Sequence, residues 1–328
     1  MAFRPLLLAA AALVPMSLAA CGGDDGGQPT PEGAHTHYVA NKVFVPTSST
    51  ESREYGLDLN GDGTVDNQLG ATLAALKSQG GFDIQGTIDK AVADGSIILL
   101  VDFQTKSFTS SAASGIQVFL GTNPNPAACN GSADTTCGHH LTGTASFDLA
   151  ADAATNNIAL GGKIVGGTFT GGPGKLTLQI SLGGGTPIDL DLIGARAKVS
   201  GISDTAIGMG TSGGAIFAGA VSKDDIDNKI IPAIPPQLEA TIMRDCTMIM
   251  PPVAGCGCAA SSTGATIISF FDANKDCKVD ADELKANQLV MSLLQPDVTI
   301  DGTMALSIGI KATAVGATFT VPGQGSGA

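Results

Sequence analysis

The chain has no tryptophan, two tyrosines and four histidines in 328 residues. So few rings argue against a stacking platform for bases or sugars. Basic residues are scarce as well: 17 Lys and Arg stand against 30 Asp and Glu, a formal charge of −13. Nucleic acid is held by cations that neutralise phosphates, so net charge excludes that partner. The balance suits solubility and divalent cations instead. Past the N-terminal leader, no stretch approaches the ~18 uninterrupted apolar residues of a spanning helix. No repeat of solenoid period is found. Glycine is what the chain has in plenty, at 44 residues, which points to many tight turns and small-residue strands.

Arg4 is followed by an apolar run over 6–14 and then by Leu18-Ala19-Ala20-Cys21. A short apolar region with small residues before a cut site reads as a secretory leader. The ending resembles a bacterial lipobox. That resemblance implies cleavage before Cys21, a lipid on Cys21, and a protein tethered in the cell envelope. No acidic residue directly follows Cys21, since Gly22 and Gly23 come next, which leans towards the outer membrane. The expected partners are the membrane, through this anchor, and an envelope or surface protein.

Six cysteines remain: Cys129, Cys137, Cys246, Cys256, Cys258 and Cys277. An even number in an exported chain reads as three disulfides. Cys129 and Cys137 flank a polar loop and are expected to pair locally. One of Cys246, Cys256 or Cys258 is expected to reach Cys277. A zinc site built from Cys256, Cys258, His139 and His140 is the rival, but zinc cysteine pairs usually have two to four residues between them, and here only Gly257 intervenes.

Two acidic loops carry the chemistry. Over 272–283 the sequence reads DANKDCKVDADE. Side-chain oxygens fall at position one (Asp272), three (Asn274), five (Asp276), nine (Asp280) and twelve (Glu283), with the backbone carbonyl of Lys278 at seven. Val279, at eight, is the apolar residue such loops turn inward. This spacing wraps oxygens around a hard cation of calcium's size. It resembles an EF-hand loop, over about one tenth of the chain, and the resemblance implies calcium as cofactor. One position departs from it: position six takes Gly in that family and is Cys277 here. A non-glycine residue at positive φ costs on the order of 1–2 kcal/mol, so a disulfide is expected to hold the turn.

The other loop, 58–66, places Asp58, Asn60, Asp62 and Asp66 at positions one, three, five and nine, with Thr64 at seven and Gly63 at six. It resembles the cores of EF-hand and dockerin-type loops. Position twelve is Leu69, which has no side-chain oxygen, so this site needs a carboxylate from elsewhere or more water.

Around these loops the periodicity predicts an α+β fold: mainly an antiparallel β-sandwich or open barrel with an EF-hand-like helix–loop–helix insert. The divisions are a leader over 1–20, a flexible tether over 21–37, and a strand, acidic loop and two short helices over 38–95. A β-rich domain follows over 96–221, then a helical region with the EF-hand-like loop over 222–296, then strands over 297–322 that rejoin the sheet. Residues 53–59 read as extended and 281–294 as one exiting helix. Strand alternation is clear where Leu176, Leu178 and Ile180 interleave with Lys175, Thr177 and Gln179.

Other motifs match letters without chemistry. Gly210-Thr211-Ser212-Gly213-Gly214 fits the pattern around a nucleophilic serine. A base must sit within hydrogen-bond reach of such a serine, and all four histidines precede Ser212 in no recognisable motif. We therefore expect a non-enzymatic, calcium-binding, lipid-anchored envelope protein with a structural or interaction role. A carrier of an apolar ligand and a serine hydrolase at Ser212 are the alternatives.

Overall fold

A computed structural model describes residues 28–78, 84–131, 133–150, 159–180, 188–208, 213–247 and 254–322. Eleven strands are described: β1 (Ala34–Phe44), β2 (Leu99–Thr105), β3 (Ser111–Asn125), β4 (Ser146–Leu149), β5 (Leu160–Val165), β6 (Thr168–Ile180), β7 (Ile188–Ser200), β8 (Ala206–Ile207), β9 (Gly214–Ser222), β10 (Val298–Ile300) and β11 (Thr303–Gly316). Eight of them form a closed antiparallel barrel in the order β1-β2-β3-β5-β6-β7-β9-β11, with β1 returning to pair β11 from Tyr38↔Gly316 to Phe44↔Lys311. The fold is thus β-rich α+β, as expected, and its antiparallel barrel is closed rather than open. Closure leaves the wall without an edge. β4, β8 and β10 lie beside the ring, on β3 and β11.

Alternation decides which side chains go inside. Tyr38, Phe103, Ile116, Leu160, Ile164, Phe169 and Val199 are almost fully buried and belong to one cluster. An eight-stranded barrel has an interior that side chains can just fill. Lys163, Thr170 and Lys198 face outward and are exposed, the reverse of a barrel whose outer wall meets lipid.

β1 begins at Ala34, inside the segment read from sequence as tether. His35 and His37 are therefore strand residues. His35 Nδ1 lies 2.9 Å from Asp102 Oδ2 on β2, and the His37 ring stacks on Phe319 at 4.2 Å. β6 runs through a cis Gly172–Pro173 bond as one strand.

Between β9 and β10 lies the helical region. A run of short helical turns from Lys223 to Ala233 leads to helix Pro235–Asp245, and helix Thr263–Phe271 enters the acidic loop. The expected single exiting helix is two, Ala281–Ala286 and Gln288–Leu293. Asn287 divides them: its backbone is extended and its Oδ1 accepts the amides of Leu289 and Val290. Its Nδ2 donates to Phe270 O, tying the exit to the entering helix. The core cluster of the barrel continues through Ile226, Ile242, Ile267, Cys277, Val279 and Leu284. Barrel and insert therefore share one interior.

Candidate metal centre

The three expected disulfides are formed: Cys129–Cys137, Cys246–Cys258 and Cys256–Cys277. No thiolate is left on these six cysteines, which removes the zinc reading. It also bears on the close group of potential ligands found among the described residues, Cys256, Asp272 and Cys277. Both sulfurs there belong to one disulfide, and only the Asp272 carboxylate can offer a ligand.

Cys277 sits at φ +68° and is buried. The position-six turn thus takes the left-handed conformation without glycine, and the bond to Cys256 fixes it from the core side. Lys275, at position four, is also left-handed at φ +64°. Inside the turn, Asp272 Oδ1 accepts the Asp276 amide at 3.1 Å and its Oδ2 accepts the Cys277 amide at 3.0 Å. Asn274 Oδ1 accepts the same Asp276 amide, and Asp276 Oδ1 accepts that of Lys278, both at 2.9 Å.

Position twelve closes the loop. Glu283 Oε1 accepts the amides of Ala273 and Asn274 at 2.9 and 3.1 Å, while Oε2 accepts that of Asp280 at 3.1 Å. Asp280 returns the contact by capping helix Ala281–Ala286, its Oδ1 taking the Glu283 amide at 2.8 Å. Such a reciprocal cap fixes the helix start and turns both carboxylates towards the loop. Val279 is buried, as its position predicts.

Loop 58–66 repeats this arrangement with different residues. Gly61 and Gly63, at positions four and six, have φ of +82° and +86°. Asp58 Oδ1 accepts the Gly61 amide at 2.6 Å and Oδ2 that of Gly63 at 2.9 Å. Asn60 Oδ1 accepts the Asp62 amide and Asp62 Oδ1 that of Thr64, at 2.9 and 2.7 Å. In both loops the position-three amide group also donates to position five, Asn60 to Asp62 and Asn274 to Asp276. Of the segment expected to be extended, 53–59, the first two residues end a short helix, Ser49–Glu54, capped by Ser48, and Leu57 then forms an antiparallel bridge with Asp66. Helix Gln68–Ser78 follows, so this loop too stands between helices.

Charge in the two loops is weakly compensated. Among the described residues, no Lys or Arg forms a salt bridge with the carboxylates of either loop. Burial pushes the Asp66 carboxyl above the usual aspartate range, and the nearby charges of Asp62, Asp297 and Asp58 push the same way. Asp62 goes the other way, held down first by the Thr64 amide.

Three residues near loop 58–66 escaped the sequence reading. Asn67 is buried and makes four bonds, donating to Ser52 O and Gly309 O and accepting from Gly70 N and Gly309 N. It docks the loop on β11. Asp297, whose charge reaches Asp66, accepts the Ser307 amide and hydroxyl at 2.7 and 2.6 Å. Arg196 reaches Leu59 O from β7 at 3.4 Å. All three come from distant parts of the chain or from a single polar letter in a loop, and no periodicity flags them. Cys21 and Ser212 lie outside the described residues.

The donors are oxygens, the ligand type of a hard cation. Asp272, Asn274, Asp276, the Lys278 carbonyl, Asp280 and Glu283 could hold one, and Asp58, Asn60, Asp62, Thr64 through its carbonyl, and Asp66 could hold another. No protein-family model, curated protein or solved structure matches the chain.

Proposed function

We propose that this is a calcium-binding protein of the cell envelope, tethered to a membrane by a lipid on Cys21. On this reading it is not an enzyme: calcium sets its fold or a surface by which it meets an envelope partner. One observation carries the reading. Two unrelated stretches, one built with glycines and one with a disulfide, reach the same left-handed positions and the same amide-to-carboxylate ladder. Oxygen ligands alone, without thiolate or imidazole, favour calcium or magnesium over transition metals. Magnesium demands a near-ideal octahedron and keeps its waters, whereas a flexible ring of carboxylates suits calcium. Bound calcium would neutralise carboxylates that form no salt bridge with Lys or Arg among the described residues, and its affinity would add directly to folding stability.

Calorimetric titration of the chelator-stripped protein tests this. Calcium should bind, with magnesium much weaker, and the melting temperature should rise with calcium. A protein that melts at one temperature with calcium and with chelator would end the proposal. The anchor is tested separately, by Cys21→Ser, which should leave the membrane fraction and lose its lipid.

A further inference from the structure

The outer face of β5, β6 and β7 carries two cross-strand rows. One holds Lys163, Thr170 and Lys198, paired in register as Lys163↔Thr170 and Thr170↔Lys198. The row beside it holds Gly161, Gly172 and Arg196. Two of these three positions carry no side chain, and a Cβ on Gly172 would strike Ala195 O and Arg196 Cα. What results is a hollow of about 480 Å³, walled by Gln28 on one side and by Leu57 and Asp58 on the other.

Three cations and one carboxylate line this hollow, in a chain of net charge −13. Among the described residues, Lys163 and Lys198 form no salt bridge. Arg196 has one weak bond, to Leu59 O, and its Nε is buried without a hydrogen-bond partner. Arg196 as a whole is half-buried, and a guanidinium fork matches the geometry of an oxyanion. Neighbouring side chains on adjacent strands stand roughly 5 Å apart. The two lysines can therefore close on one group from either side, with the Thr170 hydroxyl between them.

We propose that this hollow binds a phosphate group, with Arg196 as anchor, Lys163 and Lys198 as flanking cations and Thr170 as a neutral donor. A tetrahedral dianion uses three cations, and its oxygens accept from several directions. The group can belong to a soluble phosphate ester or to a lipid headgroup. This site does not rest on the calcium reading, although Asp58 borders both.

The experiment is calorimetric titration of the purified full chain at low salt, with chelator present so that calcium plays no part. Inorganic phosphate should bind saturably, more weakly as salt is added. Lys163→Ala with Lys198→Ala should weaken it roughly tenfold or more and leave the phosphate-free melting temperature unchanged, because both side chains are exposed. Arg196→Gln should remove the remaining binding. Glycerol phosphate and short-chain phosphatidic acid separate the sources: roughly tenfold tighter binding of the latter assigns a lipid headgroup, and equal binding assigns a soluble ester. A parent protein that gives no saturable phosphate binding overturns the proposal, and so does a double-lysine variant that binds as the parent does.

Discussion

Asp58 and Asp272 hold their loops in the same way: each carboxylate accepts the amide five residues on, Gly63 at 2.9 Å and Cys277 at 3.0 Å. The loops differ in what closes them. Glu283 brings two oxygens at position twelve, while Leu69 brings none. Calcium seeks six to eight oxygens, so the 272–283 loop should bind more tightly. At 100-fold excess over Kd, calcium adds about 2.7 kcal/mol to stability. Glu283→Gln should remove most of the calcium-dependent rise in melting temperature, and Asp58→Asn a smaller part. The opposite ranking would reverse the order of the two sites.

The Cys256–Cys277 bond does two jobs, and a pair of double variants separates them. Cys256→Ala with Cys277→Gly loses the cross-link but lets glycine take φ +68° freely. Cys256→Ala with Cys277→Ala loses the cross-link and keeps a Cβ at that angle. Both should be destabilised by about 2–4 kcal/mol for the lost link, and the alanine version by a further ~1–2 kcal/mol. Denaturant unfolding of the two variants in chelator measures the difference. Equal midpoints would mean that the turn relaxes once the bond is gone.

Asp66 predicts a pH dependence. Its carboxyl is raised in the fold, by burial first and then by Asp62, Asp297 and Asp58. A group raised in the native state adds stability below its ordinary range, and that contribution is lost as pH rises through the raised value. Without calcium, Asp66→Asn should therefore melt at or above the parent temperature at neutral pH, and its advantage should vanish on acidification. With calcium the order should invert, because a ligand is missing. A variant that melts below the parent in chelator at neutral pH contradicts this assignment.

Asn67 is a stability prediction independent of metal. Its amide donates to two carbonyls and accepts two amides, and it is buried. Asn67→Asp turns two donating contacts into repulsive ones. It should cost about 3 kcal/mol or more, measured by urea unfolding with chelator and with calcium alike. A cost that appears only with calcium would place Asn67 in the metal site rather than in the docking of the loop.

Much of this was legible in local patterns. The loops announce themselves by spacing, and the strands by alternation, because both signals lie within a dozen residues. Barrel closure was not legible: Tyr38 pairs with Gly316, and no local periodicity records which strands meet at the seam. The two-part exiting helix was hidden for a different reason. The apolar stripe of Leu284 resumes at Val290, Met291 and Leu294, so periodicity spans Asn287, and its side chain, capping Leu289 and Val290, divides the run. Histidines 35 and 37 looked like a polar tail because Asp102, the buried carboxylate beside them, comes from β2.

The insert leaves the sheet after Ser222 and the chain rejoins it so that Ala305 stands directly opposite Ser222. The helical module with its acidic loop is therefore an enlarged hairpin connection. Its two ends are held at hydrogen-bonding distance by the ladder, so the ring closure cost of the insert is carried by barrel pairing. Connections of that kind tolerate exchange, as insertions at paired loop ends generally do. A barrel with a tight turn in place of the module is a reasonable design target, provided new apolar side chains cover the surface that Ile226, Ile242 and Leu284 now share with it.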